Sequence, residues 1–284
     1  GEAVMVASSQ PRSSEFGLLG PESEPAISIA GREIGANLPP YIVAEISCNH
    51  NVSLRQAKWM IQEAYECGAD AVKLQAYTPG ELTSPRHEDL WRLYERAQTP
   101  REWFPELFDY ARQVGITMFS SAFSIDGVKF LKKLGSPAIK IASAEVRDGV
   151  LIQTARETGL PLIISTGMAT EEDINLLPAG AILLHCVAQY PSRIEDANLR
   201  AIKRMYDDGD RVGLSDHTPG YETTIAATAL GAVMIEKHFK MDENCIDAAW
   251  SLDPTQFAAM CKAVRAIWHG MGDGLPRVTC EGRQ

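Results

Sequence analysis

Eight short apolar runs, each separated from the next by a longer helix-like segment, constrain the fold of this chain more than any other feature. Near-continuous apolar strands that alternate with helices are typical of a parallel sheet covered on both faces. Eight such units predict a closed (β/α)8 barrel, an α/β fold of the TIM-barrel type, rather than an open sheet. The runs are YIVAEI (41–46), AVKLQAY (71–77), ITMFSSA (116–122), AIKIAS (138–143), PLIIST (161–166), AILLHC (181–186), RVGLSD (211–216) and MIEKHF (234–239).

The segments between the runs have the spacing of amphipathic helices. LRQAKWMIQEAYECG (54–68) repeats apolar residues every three or four positions and ends in a glycine that can terminate the helix. PREWFPELFDYARQVG (100–115) and FSIDGVKFLKKLG (123–135) also end in glycine. An open doubly wound sheet would more often have about six strands and a glycine-rich first turn. No G-x-G-x-x-G motif follows the first run.

The regions outside the eight units predict a simple domain organisation. Residues 1–25 are rich in Ser, Pro, Gly and Glu, and we expect a disordered leader there. Residues 26–35, AISIAGREIG, predict a short β-hairpin that plugs the bottom of the barrel. We therefore expect one TIM-barrel domain over residues 26–284, with this hairpin as an N-terminal extension.

Composition excludes some classes of function. A net charge of −10 argues against a nucleic-acid-binding surface. No stretch approaches the roughly 18 apolar residues of a membrane span. The six cysteines form no C-x-x-C pair, which indicates reduced thiols and a cytoplasmic protein. We expect small-molecule partners. The sequence does not decide whether the chain forms a homo-oligomer.

Polar side chains end every run. Catalytic groups of barrels lie at the C-terminal ends of the strands, and residues two apart on a strand share a face. Lys73 therefore shares a face with Gln75, Ser215 with His217, and Glu236 with His238. The other polar groups at or just beyond the strand ends include Glu45, Ser120, Ser121, Lys140, Ser143, Glu145, Ser165, Thr166 and Tyr190.

Taken singly, each of these residues has a structural interpretation. A strand-end lysine can hold its ammonium group in water, a strand-end histidine is more often structural than a ligand, and a hydroxyl often caps the next helix. Cys48, His185 and Cys186 are expected to be core or near-core residues, and Asp216 should point away from His217 toward the helices. The convergence of eight polar strand ends on one face favours a functional site.

The chemistry of this set is limited. Lysines and hydroxyls suit a phosphate and a carboxylate, and two imidazoles suit a divalent transition metal. Glu45 or Glu145 can move a proton or orient a water molecule. A Schiff-base pyruvate aldolase with Lys73 or Lys140 as nucleophile is one alternative, although the paired histidines favour a metal. A non-catalytic barrel that binds sugar phosphates is another.

A series of short motifs also resembles the N-acetylneuraminate (sialic acid) synthase family. The resemblance runs from about residue 38 to residue 270 and covers the barrel domain, without the family's small C-terminal antifreeze-like domain. The motifs, in family order, are AEISCNHN, GADAVKLQAY, FSSAFS, KIASAE, ISTGMAT, LHCVAQYP, GLSDHT, IEKHF and SLDP.

The resemblance implies condensation of phosphoenolpyruvate (PEP) with the aldehyde of an open-chain sugar or another aldehyde acceptor, giving a 2-keto-3-deoxy sugar acid and phosphate. It implies a divalent metal, Mn²⁺ in the first place and Mg²⁺ or Co²⁺ as alternatives, on His217 and His238. It also implies catalytic roles for Lys73 and Lys140, together with Glu45 and Glu145. The PEP contacts it implies are Lys73, Ser121, Lys140, Ser143, Ser165 and Ser215. The acceptor contacts it implies are Glu45, Gln75, Tyr190 and Asp247.

Three departures from the family pattern concern the part of the site that would bind the acceptor more than the part that would bind PEP. The family's Gly-Pro-Asp-His after the eighth strand is Cys-Ile-Asp-Ala here, so Asp247 is kept and the histidine is Ala248. Ala188 stands where many relatives carry a serine or asparagine that can reach PEP. The antifreeze-like domain, which contributes an arginine to the sugar site, has no counterpart in these 284 residues. We therefore expect an unusual acceptor.

Overall fold

The computed structural model describes residues 26–272. The leader predicted for residues 1–25, and residues 273–284 at the end of the predicted barrel domain, lie outside the described residues.

Ten strands and ten α-helices make up the described chain. The strands are β1 (Ile27–Ile29), β2 (Arg32–Ile34), β3 (Tyr41–Glu45), β4 (Ala71–Ala76), β5 (Thr117–Ala122), β6 (Ile139–Ile141), β7 (Leu162–Ser165), β8 (Ile182–Cys186), β9 (Arg211–Asp216) and β10 (Met234–His238). The helices are α1 (Leu54–Glu66), α2 (Pro79–Leu82), α3 (Glu88–Ala97), α4 (Phe104–Val114), α5 (Ile125–Leu134), α6 (Gly149–Arg156), α7 (Glu171–Asn175), α8 (Arg200–Asp207), α9 (Glu222–Ala229) and α10 (Pro254–Met271).

The eight strands β3 to β10 form a closed parallel barrel, which confirms the predicted (β/α)8 fold. Neighbours in sequence are neighbours in the barrel, and β10 closes the ring by pairing Met234 with Tyr41 and His238 with Glu45. Each strand lies within its predicted apolar run, shortened by at most a few residues. The predicted helices are α1, α4 and α5, and a short 3₁₀ turn at Arg101–Trp103 precedes α4.

Alternation along the strands divides the apolar residues into two layers. Residues such as Ile42 and Val72 face outward and pack in the large cluster between barrel and helices. Tyr41, Val43 and Phe119 face inward and fill the N-terminal half of the barrel interior. Because the interior is packed at that end, an open site can exist only at the C-terminal ends of the strands.

The predicted hairpin is present and closes the bottom of the barrel. β1 pairs with β2 in antiparallel register, Ile27 opposite Ile34. Ile29 and Ile34 are fully buried in the same cluster as the inward residues of the barrel strands. Arg32 forms an ion pair with Asp70, the residue before β4, so an electrostatic contact also joins the hairpin to the barrel.

The connection between β4 and β5 contains two helices that the sequence did not reveal, α2 and α3. Thr78 and Glu81 form a capping box at α2. The ring of Tyr94 on α3 contacts Tyr77, with ring centroids 5.9 Å apart. This places one side of α3 over the mouth of the barrel. None of the helices in residues 26–272 is both long enough and apolar enough to span a membrane.

Candidate active site

A cavity of 440 Å³ lies at the C-terminal ends of the barrel strands. Strand alternation points the last inward residues of each strand into it. Every residue predicted for the site lines this cavity except Glu45, which is fully buried directly beneath it. The predicted residues that line it are Lys73, Gln75, Ser121, Lys140, Ser143, Glu145, Ser165, Tyr190, Ser215, His217, His238 and Asp247.

Lys73, on β4, is a buried cation surrounded by carboxylates. Its Nζ lies 2.7 Å from Glu45 Oε2 and 3.7 Å from Glu236 Oε1, and it donates to Ser121 Oγ at 3.1 Å. Burial alone would lower the pKa of Lys73, but Glu236 and Glu45 raise it above its ordinary value. Lys73 is therefore charged and already neutralised by the protein.

Lys140, on β6, is equally buried but has a different environment. Its Nζ donates to Ser165 Oγ at 2.6 Å and to the main-chain oxygen of Ile141 at 3.1 Å. Within residues 26–272 it forms no ion pair with a carboxylate at contact distance. Burial lowers its pKa, and the charge of Glu236 opposes this shift only in part. A buried ammonium group without a counter-ion is costly unless an anionic ligand completes the site. Lys140 therefore marks the place where such a ligand would be held.

Glu236, on β10, belongs to the site although it was not among the predicted site residues. It accepts a hydrogen bond from Ser215 Oγ at 3.0 Å, and it is 4% exposed. Burial would raise the pKa of Glu236, but the ammonium groups of Lys73 and Lys140 lower it to about 2. The sequence contained the signal, because Glu236 lies two residues before His238 and shares its face.

The predicted imidazole pair is brought together at the end of β9 and β10. The ring centroids of His217 and His238 lie 5.4 Å apart. Nδ1 of His217 is hydrogen-bonded to the main-chain oxygen of Val187 at 2.9 Å, and Nδ1 of His238 to Asp247 Oδ2 at 3.0 Å. These bonds leave Nε2 of each ring for another partner, which is the usual arrangement of metal-binding histidines.

The state of the imidazoles also fits a metal. Burial, and then the neighbouring His238, lower the pKa of His217 to about 4, so its ring is neutral at pH 7 and can coordinate. No group of three or more His, Cys, Asp or Glu side chains with metal-binding geometry occurs among the described residues. A metal here would take two protein nitrogens and complete its coordination with water or substrate oxygens.

Glu45 and Glu145, the two candidate acid–base groups, differ in how fully other side chains already bind their carboxyl oxygens. Glu45 is engaged, since it pairs with Lys73 and accepts from Gln75 Nε2 at 3.0 Å; burial raises its pKa. Glu145 lies in the 3₁₀ turn Ser143–Glu145 after β6, and burial raises its pKa to about 7. Its Oε2 is buried without a hydrogen-bond partner among the described residues. Glu145 is thus the carboxyl group free to exchange a proton near neutral pH.

The remaining wall of the cavity is aromatic and aliphatic. The ring of Tyr190 lies 4.2 Å from that of His217 and 5.5 Å from that of Trp250, measured between centroids. Trp250 Nε1 is buried and has no partner within the described chain. Residues from α2, α3 and the loops, which were not predicted, complete this wall: Tyr77, Leu82, Leu93, Tyr94, Ala97, Phe123 and Ile246.

Other expectations about strand-end residues are only partly met. Asp216 faces the helices, as expected, where it pairs with Lys237. His185 also faces outward and is hydrogen-bonded to the main-chain oxygen of Ala197 at 2.8 Å. Cys48 and Cys186 are buried, as expected for core residues, but both also line the cavity.

Comparison with known proteins identifies the family. The sequence profile of the NeuB family matches residues 60–275. The chain belongs to the NeuB family. The pseudaminic acid synthase of Helicobacter pylori is 40% identical over 264 residues, covering 84% of this chain and 78% of that protein. The N-acetylneuraminate-9-phosphate synthase of Mus musculus is 30% identical, covering 85% of this chain and 75% of that protein.

Solved structures of NeuB-type proteins have the same architecture. The N-acetylneuraminic acid (sialic acid) synthetase of Leptospira borgpetersenii, determined in complex with citrate, superposes with a TM-score of 0.85 at 31% identity. The superposition covers 90% of this chain and 93% of that one. Membership of the family predicted from the short motifs is therefore confirmed.

Proposed function

We propose that this NeuB-family protein is a metal-dependent synthase that condenses PEP with the aldehyde carbon of an open-chain sugar. The products would be a 2-keto-3-deoxy sugar acid and inorganic phosphate. The single observation that carries this proposal is a buried ammonium group, Lys140, that forms no ion pair among the described residues and lies in the same cavity as the neighbouring imidazoles of His217 and His238. Relatives named as pseudaminic, legionaminic and sialic acid synthases support the same reaction class.

The anionic end of PEP fits the lysine side of the cavity. Lys140 and Ser165 form one pair of donors and Lys73 and Ser121 another. We assign the phosphate and carboxylate of PEP to these groups, together with Ser143 and Ser215. Held this way, the enol carbon and the aldehyde react as if within one molecule.

His217 and His238 would hold a divalent ion through Nε2, with Mn²⁺ as the first choice and Mg²⁺ or Co²⁺ as alternatives. Such an ion supplies Lewis acidity that polarises the aldehyde oxygen. The protein's own contribution is to orient both rings through the Nδ1 bonds to Val187 and Asp247, and to keep His217 neutral through burial.

The carbon–carbon bond forms when C3 of PEP attacks the aldehyde carbon, whose oxygen takes up a proton. C2 of the pyruvyl unit then becomes electron-poor, and a water molecule adds to it and gives up a proton. We assign that proton to Glu145, because its free Oε2 and its pKa of about 7 suit a general base. Phosphate then leaves from C2 with the second proton of the added water, and the ketone remains.

The acceptor half of the cavity has few charged groups. Tyr190, Gln75 and Asp247 are the polar candidates to contact the sugar, and Glu45 supports Gln75 from below. The aromatic wall with Trp250 would contact its less polar parts. The relatives from Helicobacter pylori and Mus musculus are named for different sugar acids, so similarity to them leaves the acceptor open.

A Schiff-base aldolase is the second candidate, since the lowered pKa and burial of Lys140 also suit a nucleophilic amine. Borohydride reduction in the presence of pyruvate separates the two. A pyruvyl adduct on Lys140 supports the aldolase, whereas the synthase gives no adduct.

The deciding experiment is a screen of aldoses and other aldehydes with PEP and Mn²⁺, read by phosphate release and by the mass of the product. We expect release only when aldehyde, PEP and metal are all present, and loss of release in His217→Ala. Lys132→Met, which replaces an exposed lysine on α5, is the matched control for substitutions of the cavity lysines Lys73 and Lys140. Phosphate release that persists in excess chelator would contradict the proposal.

We also propose a cytoplasmic location. The five cysteines among the described residues are all free thiols, as is usual in a reducing compartment.

A further inference from the structure

Each imidazole of the proposed metal site is preceded in the chain by a charged residue that faces the opposite way. Asp216 comes before His217 and Lys237 before His238. Successive residues of a strand point to opposite faces, so these two charges lie behind the site, between barrel and helices. They are direct partners in the β9–β10 ladder, and Lys237 Nζ lies 2.7 Å from Asp216 Oδ2.

This ion pair is deeply buried. Lys237 is 0% exposed and Asp216 is 3% exposed, and neither lines the site cavity. Buried ion pairs are weak contributors to stability, because an apolar pair of the same size often does as well or better. Stability alone therefore gives little reason for two opposite charges at this place.

The pair instead fixes the chain on both sides of His217. Lys237 Nζ donates to the main-chain oxygen of Thr218, the residue after His217. Thr218 in turn donates to Asp216 Oδ1 through its main-chain nitrogen at 3.1 Å and its hydroxyl at 2.9 Å. The main-chain nitrogen of Ser192 donates to the main-chain oxygen of His217 itself at 2.9 Å.

Through these bonds the strand that carries His238 determines where His217 lies. We propose that Asp216 and Lys237 are a positioning pair, which holds the two imidazoles in register for a divalent metal. This inference rests on the metal site proposed above. It differs from a purely structural role in one measurable respect: loss of the pair should weaken metal binding in a protein that remains folded.

The test is a titration of the full chain with Mn²⁺ in the absence of any substrate. The electron paramagnetic resonance signal of free Mn²⁺ measures how much of the ion is bound. The main variant is the double substitution Asp216→Asn with Lys237→Met, because it removes both charges together and leaves neither one buried alone. The matched control is Asp70→Asn, an ion-paired carboxylate at the opposite end of the barrel. Circular dichroism and thermal melting verify that each variant is folded.

We expect the double variant to bind Mn²⁺ about 10- to 100-fold more weakly, the usual effect of losing an outer-shell support, and the control to bind as the wild type does. If the double variant is not recovered folded, Asp216→Asn alone is measured, and weaker binding is expected there too. Wild-type affinity in a folded variant would overturn the inference, as would equal weakening in the control. Absence of Mn²⁺ binding by the wild-type protein would refute the metal site itself, and the inference with it.

Discussion

Replacement of Lys140 by methionine tests the anion-binding end of the site, because this lysine is buried and forms no ion pair with a carboxylate of residues 26–272. The hydrogen bonds of its ammonium group within that range go to the neutral oxygens of Ser165 and Ile141. Methionine is of similar length and carries no charge. We therefore expect Lys140→Met to lose PEP binding while the fold keeps its stability.

The size of both effects follows from the contacts. A hydrogen bond to a charged group contributes about 1.5–3 kcal/mol, and about 1.4 kcal/mol is tenfold in rate. One such bond from Lys140 to PEP thus predicts a fall in kcat/KM of roughly 10- to 150-fold. The lost bond to Ser165, also about 1.5–3 kcal/mol, opposes the gain from removing a buried charge, so Tm should change by only a few degrees.

Lys73→Met is the matched variant, because it removes the second lysine of the same cavity. Here the substitution leaves Glu45 and Glu236 without their shared cation. Removing one partner of a buried ion pair costs about 3–5 kcal/mol, which predicts a fall in Tm of roughly 6–20 °C for a domain of this size. The two variants should therefore resemble each other in PEP binding and differ in stability.

Titration calorimetry with PEP and differential scanning fluorimetry measure the two quantities separately. Steady-state phosphate release, with PEP varied at saturating aldehyde and Mn²⁺, gives kcat/KM. The reasoning fails if Lys140→Met binds PEP like the wild-type protein, or if it lowers Tm as much as Lys73→Met does.

Three further predictions concern other parts of the site and barrel. For Glu145, kcat/KM should fall as the pH drops below about 7, and Glu145→Gln should lose about 10²–10⁴-fold in rate together with this pH dependence. Because folding raises the pKa of this carboxyl group, the wild-type protein should also lose stability as the pH rises from about 4.5 to 7. The Glu145→Gln variant should not show this loss of stability. Asp247→Asn should weaken Mn²⁺ binding by about 10- to 100-fold in an equilibrium titration, because Asp247 orients His238. Gly213→Val should lower the free energy of unfolding by about 1–3 kcal/mol or more, because a Cβ there would lie 2.5 Å from a main-chain oxygen of β10. Gly149→Ala, where a Cβ meets nothing within 4 Å, is the control and should leave the urea midpoint unchanged or raised.

The fold could be predicted almost completely because its signal is local. Each apolar run is about one strand long, and the caps and glycines beside the runs mark where helices begin and end. Ser53 and Ser124, for example, accept hydrogen bonds from the first turns of α1 and α5. Gly115 and Gly135 end α4 and α5 with φ of 89° and 78°. These features depend on neighbours in sequence and can be read without the structure.

The electrostatics of the site could not be predicted, because they depend on distances between strands. Lys73 and Lys140 look alike in sequence, each in an apolar run before a polar strand end. Among the described residues, two carboxylates lie within 4 Å of Lys73 Nζ, and none lies within that distance of Lys140 Nζ. The wall formed by α3 was missed for a related reason, since an amphipathic segment does not indicate which part of the barrel it will cover.

The polar residues at the strand ends illustrate how far sequence reasoning reaches. Alternation divides them into two sets with different functions, as expected from the sequence for Asp216 and His217. The inward set includes Ser121, Cys186, His217 and His238, and all four line the cavity.

The residue just before each of these faces outward and supports its strand. Ser120 donates to the main-chain oxygen of Leu74 at 2.9 Å, and His185 is bonded to that of Ala197. Asp216 and Lys237 bond to each other across two neighbouring strands. At these four strand ends the group that faces the cavity therefore has a polar neighbour on the outer face, and that neighbour adds side-chain bonds that hold the strand end in place. Lys73 and Lys140 follow the apolar residues Val72 and Ile139 instead, so the arrangement is a feature of these strand ends and not of every residue in the site.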